Sequence, residues 1–304
     1  MKFAYYPGCS GKGTSVEYEI STKAVCSALG IYLQELADWS CCGSTPAHAT
    51  DTLLSAALSA RNLALAAESM KHSGATRLAT PCPSCLANLK TARHHMANQE
   101  FRKKVDKLLD SPCPPLGPKG EEPLPETYSI LQLLVEDYGL ENIAAKVVRP
   151  LKGLKVAPYY GCLLSRPAPI MKFDDPENPT SMDRLLEALG AEVVPFPLKT
   201  ECCGAAMGIP RRDITARLSA RLLDAATTFG ADMIAVACPL CHMNLDLRQA
   251  QAAKASGVSY DMPVLYFTQL MGIALGLPDS DLALDKLSVS PAAALQKIGK
   301  EISA

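Results

Sequence analysis

A chain of 304 residues with 48% apolar content can bury one large core or two ordinary ones of about 150 residues each. Thirty basic residues stand against 31 acidic ones, a net charge of -1, and no run of Lys or Arg offers the footprint that nucleic acid needs. The opening MKFAYYPGC lacks the regions of a signal peptide, and no window of about 18 residues is free of polar groups, so a soluble, cytoplasmic protein without an integral membrane segment is expected.

In chain order, short apolar runs alternate with longer helical stretches. KFAYY at 2–6, IYLQEL at 31–36 and TRLAT at 76–80 are predicted strands, and LKVAPYY at 154–160, AEVVPF at 191–196 and DMIAVA at 232–237 repeat the series. Between them, the Ala- and Leu-rich stretches at 52–74 and 214–230 carry helical periodicity and end at Gly74 and Gly230, residues suited to stop a helix. Alternating strand and helix predicts an α/β fold with mainly parallel sheets flanked by helices. SPCPPLGPKGEEPLP at 111–125 reads as an irregular loop, and a domain boundary is expected near Pro150, giving domains 1–150 and 151–304.

The twelve cysteines are ordered. Cys9, Cys41, Cys42, Cys82 and Cys85 run single, pair, CxxC, and Cys162, Cys202, Cys203, Cys238 and Cys241 repeat that run. Structural disulfides are unexpected in a cytosolic chain, and Cys26 and Cys113 lie outside the pattern as small apolar residues. Other residues repeat in register. Tyr5-Tyr6 matches Tyr159-Tyr160, SAR at 59–61 matches SAR at 219–221, Asn88 matches Asn244, and YSILQLL at 128–134 has an echo in LYFTQLM at 265–271. Whole domains were therefore duplicated.

Each cysteine group follows a predicted strand, and open parallel sheets bind ligands outside the carboxyl ends of their strands, so thiols distant in sequence are expected on one rim. In CPSC and CPLC the proline suits the first turn of a helix, whose positive end favours thiolates. Alone that tetrapeptide equally suits a redox dithiol. The adjacent pairs, each followed by Gly43 or Gly204, direct two thiolates together, and five convergent thiolates exceed what a tetrahedral zinc or an ordinary cubane accepts.

Both copies resemble the cysteine-rich CCG domain, and the whole chain resembles the B subunit of heterodisulfide reductase. The resemblance implies two duplicated CCG domains, each with a noncubane [4Fe-4S] cluster on five cysteines at the strand ends. Carried over by position, the first cluster would use Cys9, Cys41, Cys42, Cys82 and Cys85, and the second Cys162, Cys202, Cys203, Cys238 and Cys241, with zinc at the first site as the alternative. It implies cleavage or formation of a disulfide of the coenzyme M–coenzyme B type. It further implies a hetero-oligomer with a cubane-cluster C subunit and a flavin-containing A subunit, and the chain itself carries neither a ferredoxin run nor a GxGxxG fingerprint. The alternative function is an electron-transfer or sulfur-handling component of a related complex, such as a sulfur-oxidising system or a lactate/glycolate or fumarate/succinate oxidoreductase.

His48, six residues beyond Cys42, is a candidate proton donor to a leaving thiolate, with an ordinary surface histidine as the competing reading. Arg61 and Arg221 are candidates to meet anionic substrate or for helix-surface ion pairs, and His94-His95 reads as solvated.

Overall fold

A computed structural model describes residues 1–44, 46–111, 113 and 124–299. The predicted loop at 111–125 lies outside the described residues apart from Ser111, Cys113, Leu124 and Pro125.

Two four-stranded sheets have the same topology. Strands β1 (Lys2–Tyr5), β2 (Tyr32–Glu35), β3 (Leu78–Thr80) and β4 (Thr127–Ser129) run in the order β2-β1-β3-β4. Strands β5 (Lys155–Tyr159), β6 (Glu192–Val193), β7 (Met233–Val236) and β8 (Val264–Tyr266) run in the order β6-β5-β7-β8. Every pair is parallel, with Tyr5 beside Ala79 and Tyr159 beside Val236. The chain leaves the first strand of each sheet toward one edge and later returns on its other side. A crevice therefore opens between β1 and β3, and again between β5 and β7, where such sheets hold ligands. The YSILQLL and LYFTQLM echo supplies the fourth strand of each sheet, which the strand prediction did not include.

Six helices matter for the site: α1 (Val16–Ala28), α2 (Thr52–Ser73), α3 (Pro83–His95), α4 (Arg212–Thr228), α5 (Pro239–Leu245) and α6 (Phe267–Ala274). Helix α2 starts where the Asp51 carboxylate accepts Leu53 N–H at 2.8 Å and Leu54 N–H at 3.2 Å, and it stops at left-handed Gly74. Its buried alanines, Ala56, Ala57, Ala60, Ala66 and Ala67, let the helix approach the sheet closely.

One core runs through both copies, burying Tyr5, Tyr18, Val156, Tyr266 and Phe267 together, while the first copy keeps a second buried cluster around Ala4, Leu63, Leu78 and Leu89. At its centre α1 meets α6. The Tyr18 ring stacks on Tyr266 with centroids 4.0 Å apart, Tyr266 stacks on His242 at 4.3 Å, and Ser21 and Thr268 share a hydroxyl hydrogen bond of 2.8 Å. The Glu17 carboxyl lies 3.7 Å from His242 Nδ1, with burial pushing Glu17 up and His242 down. Lys90 donates to the Met171 carbonyl at 2.7 Å as a further link between the copies.

Candidate metal centre at paired cysteine sites

All ten patterned cysteines stand at the carboxyl ends of strands. Cys9 lies in the short helix Gly8–Gly11 after β1, Cys162 follows β5, and Cys41-Cys42 and Cys202-Cys203 follow β2 and β6. Cys82 and Cys238 precede α3 and α5, each with proline as its first helical residue, and Cys85 and Cys241 sit in the first turns.

Within the first copy the Sγ atoms of Cys42 and Cys85 are 3.5 Å apart and those of Cys9 and Cys41 are 3.9 Å apart. In the second, Cys203 and Cys241 are 3.6 Å apart. Backbone amides point at the same sulfurs, Gly43 N–H donating to Cys41 at 3.4 Å and Gly204 N–H to Cys202 at 3.3 Å.

The cysteine pairs are held from behind. Ser59 Oγ donates to the Cys42 carbonyl at 3.0 Å, Asn88 donates to the same carbonyl, and Ser55 Oγ donates to the Gly43 carbonyl at 3.2 Å. The second copy repeats this frame, with Asn244 on the Cys203 carbonyl at 3.3 Å, Ser219 on it at 3.5 Å, and Thr215 on the Gly204 carbonyl at 3.5 Å. The repeated SAR and Asn were visible as sequence echoes, and their work is to fix the CC loop.

Glycine is required at two kinds of position here. Gly204 has φ +86°, and a Cβ on it would sit 2.8 Å from Thr215 Cα. Gly8 and Gly161 have φ +74° and +71°, and a Cβ there would lie 2.9 Å from Cys85 Sγ and 3.0 Å from Cys241 Sγ. The backbone thus makes room beside the sulfurs. Gly204→Ala is expected to cost about 1–3 kcal/mol in strain before any clash, and to lower the metal content of the second site. Gly30→Ala, at φ +73° with nothing within 4 Å of the added Cβ, is expected to keep full metal content. Equal metal loss in both variants would show that the left-handed conformation alone, not close approach, sets the requirement.

Clustered thiols cannot all ionise unaided, and in each copy they divide into thiolates and thiols. Hydrogen bonds from Cys42 and Cys9 pull Cys41 down to about 2, while Cys42, facing that thiolate, is pushed up to about 12. Contact with Cys162 pulls Cys202 down to about 6, and Cys162 is pushed up. Full ionisation of either set demands a positive centre among the sulfurs, which bound metal supplies.

The sites meet across the interface. Cys82 and Cys238 stand close enough to perturb each other's ionisation, with Cys82 pulled down and Cys238 pushed up, and Tyr18 donates its hydroxyl to the Ala237 carbonyl at 3.1 Å, beside Cys238. Both of these thiols are buried, whereas Cys9, Cys41 and Cys202 are exposed. Each site therefore has an inner side turned toward its twin and an outer side open to solvent.

Sequence matching paired Tyr5-Tyr6 with Tyr159-Tyr160, and the hydrogen bonds correct that register. Tyr6 donates to the Ser40 carbonyl at 2.8 Å and Tyr159 to the Glu201 carbonyl at 2.7 Å, each just before a cysteine pair. Tyr6 is thus the equivalent of Tyr159: each stands three residues before its cysteine, Cys9 or Cys162, and Pro7 occupies the place of Tyr160. Tyr5 and Tyr160 turn elsewhere, to Glu19 and Asp183.

Cys26 and Cys113 are buried away from both sets, and burial pushes their thiols up to about 12 and about 11. Arg61 donates to the Asp38 carbonyl at 2.7 Å and pairs with its carboxylate, Arg221 is exposed, and His94 and His95 are exposed as expected. His48 is exposed on the short helix Pro46–Thr50, and no hydrogen bond joins its imidazole to a cysteine among the described residues. Nor do three His, Cys, Asp or Glu side chains close around a single point for one metal ion among those residues. The residues that sequence missed are Tyr18, Tyr266, His242 and Glu17, whose stacking exists only once the copies pack together.

A family model described as the cysteine-rich CCG domain matches residues 3–90 and again 156–246. The chain is 34% identical to the Wolinella succinogenes protein named 8-methylmenaquinol:fumarate reductase membrane anchor subunit, across 93% of this chain and 95% of that one. It is 32% identical to the B subunit of the ferredoxin:CoB-CoM heterodisulfide reductase of Methanosarcina mazei, across 100% of this chain and 98% of that one. The chain belongs to the family of heterodisulfide reductase B subunits. Its two cysteine frames are the two CCG domains of that family. A hypothetical protein from Helicobacter pylori shares the fold, with a TM-score of 0.72 at 16% identity over 95% of this chain, which spans about half (52%) of that longer chain. No helix among the described residues is long and apolar enough to cross a membrane.

Proposed function

We propose that this chain cleaves or forms a disulfide of the coenzyme M–coenzyme B type, as the iron-sulfur component of a heterodisulfide reductase-like complex. Two noncubane [4Fe-4S] clusters are assigned to the domains 1–150 and 151–304. Cys9, Cys41, Cys42, Cys82 and Cys85 are the proposed ligands of the first, and Cys162, Cys202, Cys203, Cys238 and Cys241 those of the second. The donor set suits such a group: thiols in fivefold sets, glycines that leave space beside Cys85 and Cys241, and amides aimed at Cys41 and Cys202.

The observation that carries this reading is the pair of equivalent cysteine sets in one chain, with Tyr18 of the first copy donating to the Ala237 carbonyl, beside Cys238 of the second, at 3.1 Å. When bound, the clusters supply one-electron steps and open iron for sulfur. Reduction of a disulfide takes two electrons and two protons and yields two thiols, so two adjacent one-electron centres match its stoichiometry. The protein's own part is to hold the inner cysteines dry and to leave the outer side, at Cys9, Cys41 and Cys202, open to substrate. Electrons pass to or from other subunits, for which a cubane-cluster C subunit and a flavin-containing A subunit are proposed.

The relative named for fumarate reductase favours a second reading, an electron-transfer component of a related complex. One set of measurements separates the readings. About eight iron atoms per anaerobically purified chain are expected, with matching labile sulfide and without stoichiometric zinc. Turnover of the coenzyme M–coenzyme B heterodisulfide with an artificial donor supports the first reading. Full iron without that turnover supports the second, and zinc in place of iron defeats both.

A further inference from the structure

Behind the first CC loop lies a cavity of about 340 Å³, lined in part by His48, Thr52, Asn88, Thr91, His95 and Phe101. Its polar groups are imidazoles, hydroxyls and an amide, and no carboxylate is among the lining residues. The nearby Asp51 is turned to the start of α2, where it caps Leu53 and Leu54.

The second copy treats the equivalent place differently. With the SAR repeats and Asn88/Asn244 aligned, His48 falls on Gly208 and Ala92 on Arg248. There the Arg248 guanidinium donates to the Gly208 carbonyl at 2.7 Å, and a Cβ on Gly208 would lie 2.9 Å from it. The second copy thus fills with its own cation a place that the small Ala92 side chain leaves open in the first. Two imidazoles and two threonine hydroxyls form a donor-rich lining without a built-in counter-charge.

We propose that this cavity binds a small organic carboxylate, held by His48 and His95, with the hydroxyls of Thr52 and Thr91 beside it. Its occupancy reaches the first cysteine set, because two lining residues also hold the CC loop: Ser55 donates to the Gly43 carbonyl at 3.2 Å, and Asn88 donates to that of Cys42. The coupling, but not the binding, rests on the cluster assignment above.

Isothermal titration of the anaerobically purified protein with malonate tests the site, with iron content and the electron paramagnetic resonance spectrum read on the same samples. One saturable site per chain is expected, weakened about tenfold or more in His48→Gln and in His95→Gln while both variants keep the parent's iron. Malonate is also expected to perturb the spectrum of the first cluster in the parent. No saturable heat, or equal affinity in parent and variants, overturns the site. Saturation by inorganic phosphate but not malonate overturns the carboxylate assignment. Binding without any spectral change overturns the coupling, and a failed cluster assignment shows separately as missing iron.

Discussion

Anaerobically purified Cys42→Ser protein is expected to retain about half of its iron and yet to lose disulfide turnover by about a hundredfold or more. The same result is expected of Cys203→Ser. Retention follows from the two independent frames behind the cysteine pairs. The Cys42 loop hangs on Ser55, Ser59 and Asn88, and the Cys203 loop on Thr215, Ser219 and Asn244, with no residue in common. Loss of one thiolate therefore leaves the other set's geometry in place. Loss of turnover follows from the two-centre reading, in which the first copy reaches the backbone beside Cys238 through Tyr18. If each substrate sulfur must accept an electron at its own centre, groups acting as a unit fail together when either is removed. Iron analysis, electron paramagnetic resonance and heterodisulfide reduction by an artificial donor on the same samples decide the matter. Substantial turnover in a variant shown to hold a single cluster would defeat the two-centre mechanism and leave the missing site a relay.

The cysteine order, the alternation of strand and helix and the positions of SAR and Asn repeat within this chain, so internal comparison made them legible without a structure. Each of those features is local or duplicated. The fourth strands were harder, because β4 and β8 are three residues long and run straight into helices, which leaves no alternating pattern to read. The tyrosine register was misplaced by one residue for a different reason: matching doublet to doublet overrides the spacing to the cysteine, whereas counting back three residues from Cys9 and Cys162 pairs Tyr6 with Tyr159, as the carbonyls their hydroxyls reach also do. Tyr18 lay beyond reach altogether. It belongs to the first copy and its stacking partner to the second, and Tyr266 stands where the first copy has Ser129, so symmetry breaks where the two copies pack. Contacts between copies are set by surface complementarity, which no periodicity in the chain records.

Tyr18→Ala is expected to cost about 3–5 kcal/mol of unfolding free energy, the range for deleting a large aromatic from a packed core. Several interactions end with that one side chain. The residue is 2% exposed, and its ring stacks nearly parallel on Tyr266 at 4.0 Å and lies edge-on to Phe267 at 6.1 Å. Its hydroxyl is a donor to the Ala237 carbonyl, next to Cys238. The cavity left behind would fall between α1 and α6, where Ser21 and Thr268 offer one hydrogen bond in compensation. Tyr18→Phe keeps the stack and removes only the hydroxyl, so a cost of about 1–3 kcal/mol is expected from the carbonyl left unpaired. The pair of variants separates packing from positioning. Tyr18→Ala should let Cys82 and Cys238 drift apart and weaken the magnetic interaction between the two clusters while the iron of each domain remains. Tyr18→Phe should preserve that interaction. Denaturant titration, iron content and electron paramagnetic resonance under anaerobic conditions provide the three readings. A Tyr18→Ala protein as stable as its parent, with the interaction between clusters intact, would show that the aromatic stack does not hold the two sites together and would pass that role to Lys90 and the Ser21–Thr268 pair.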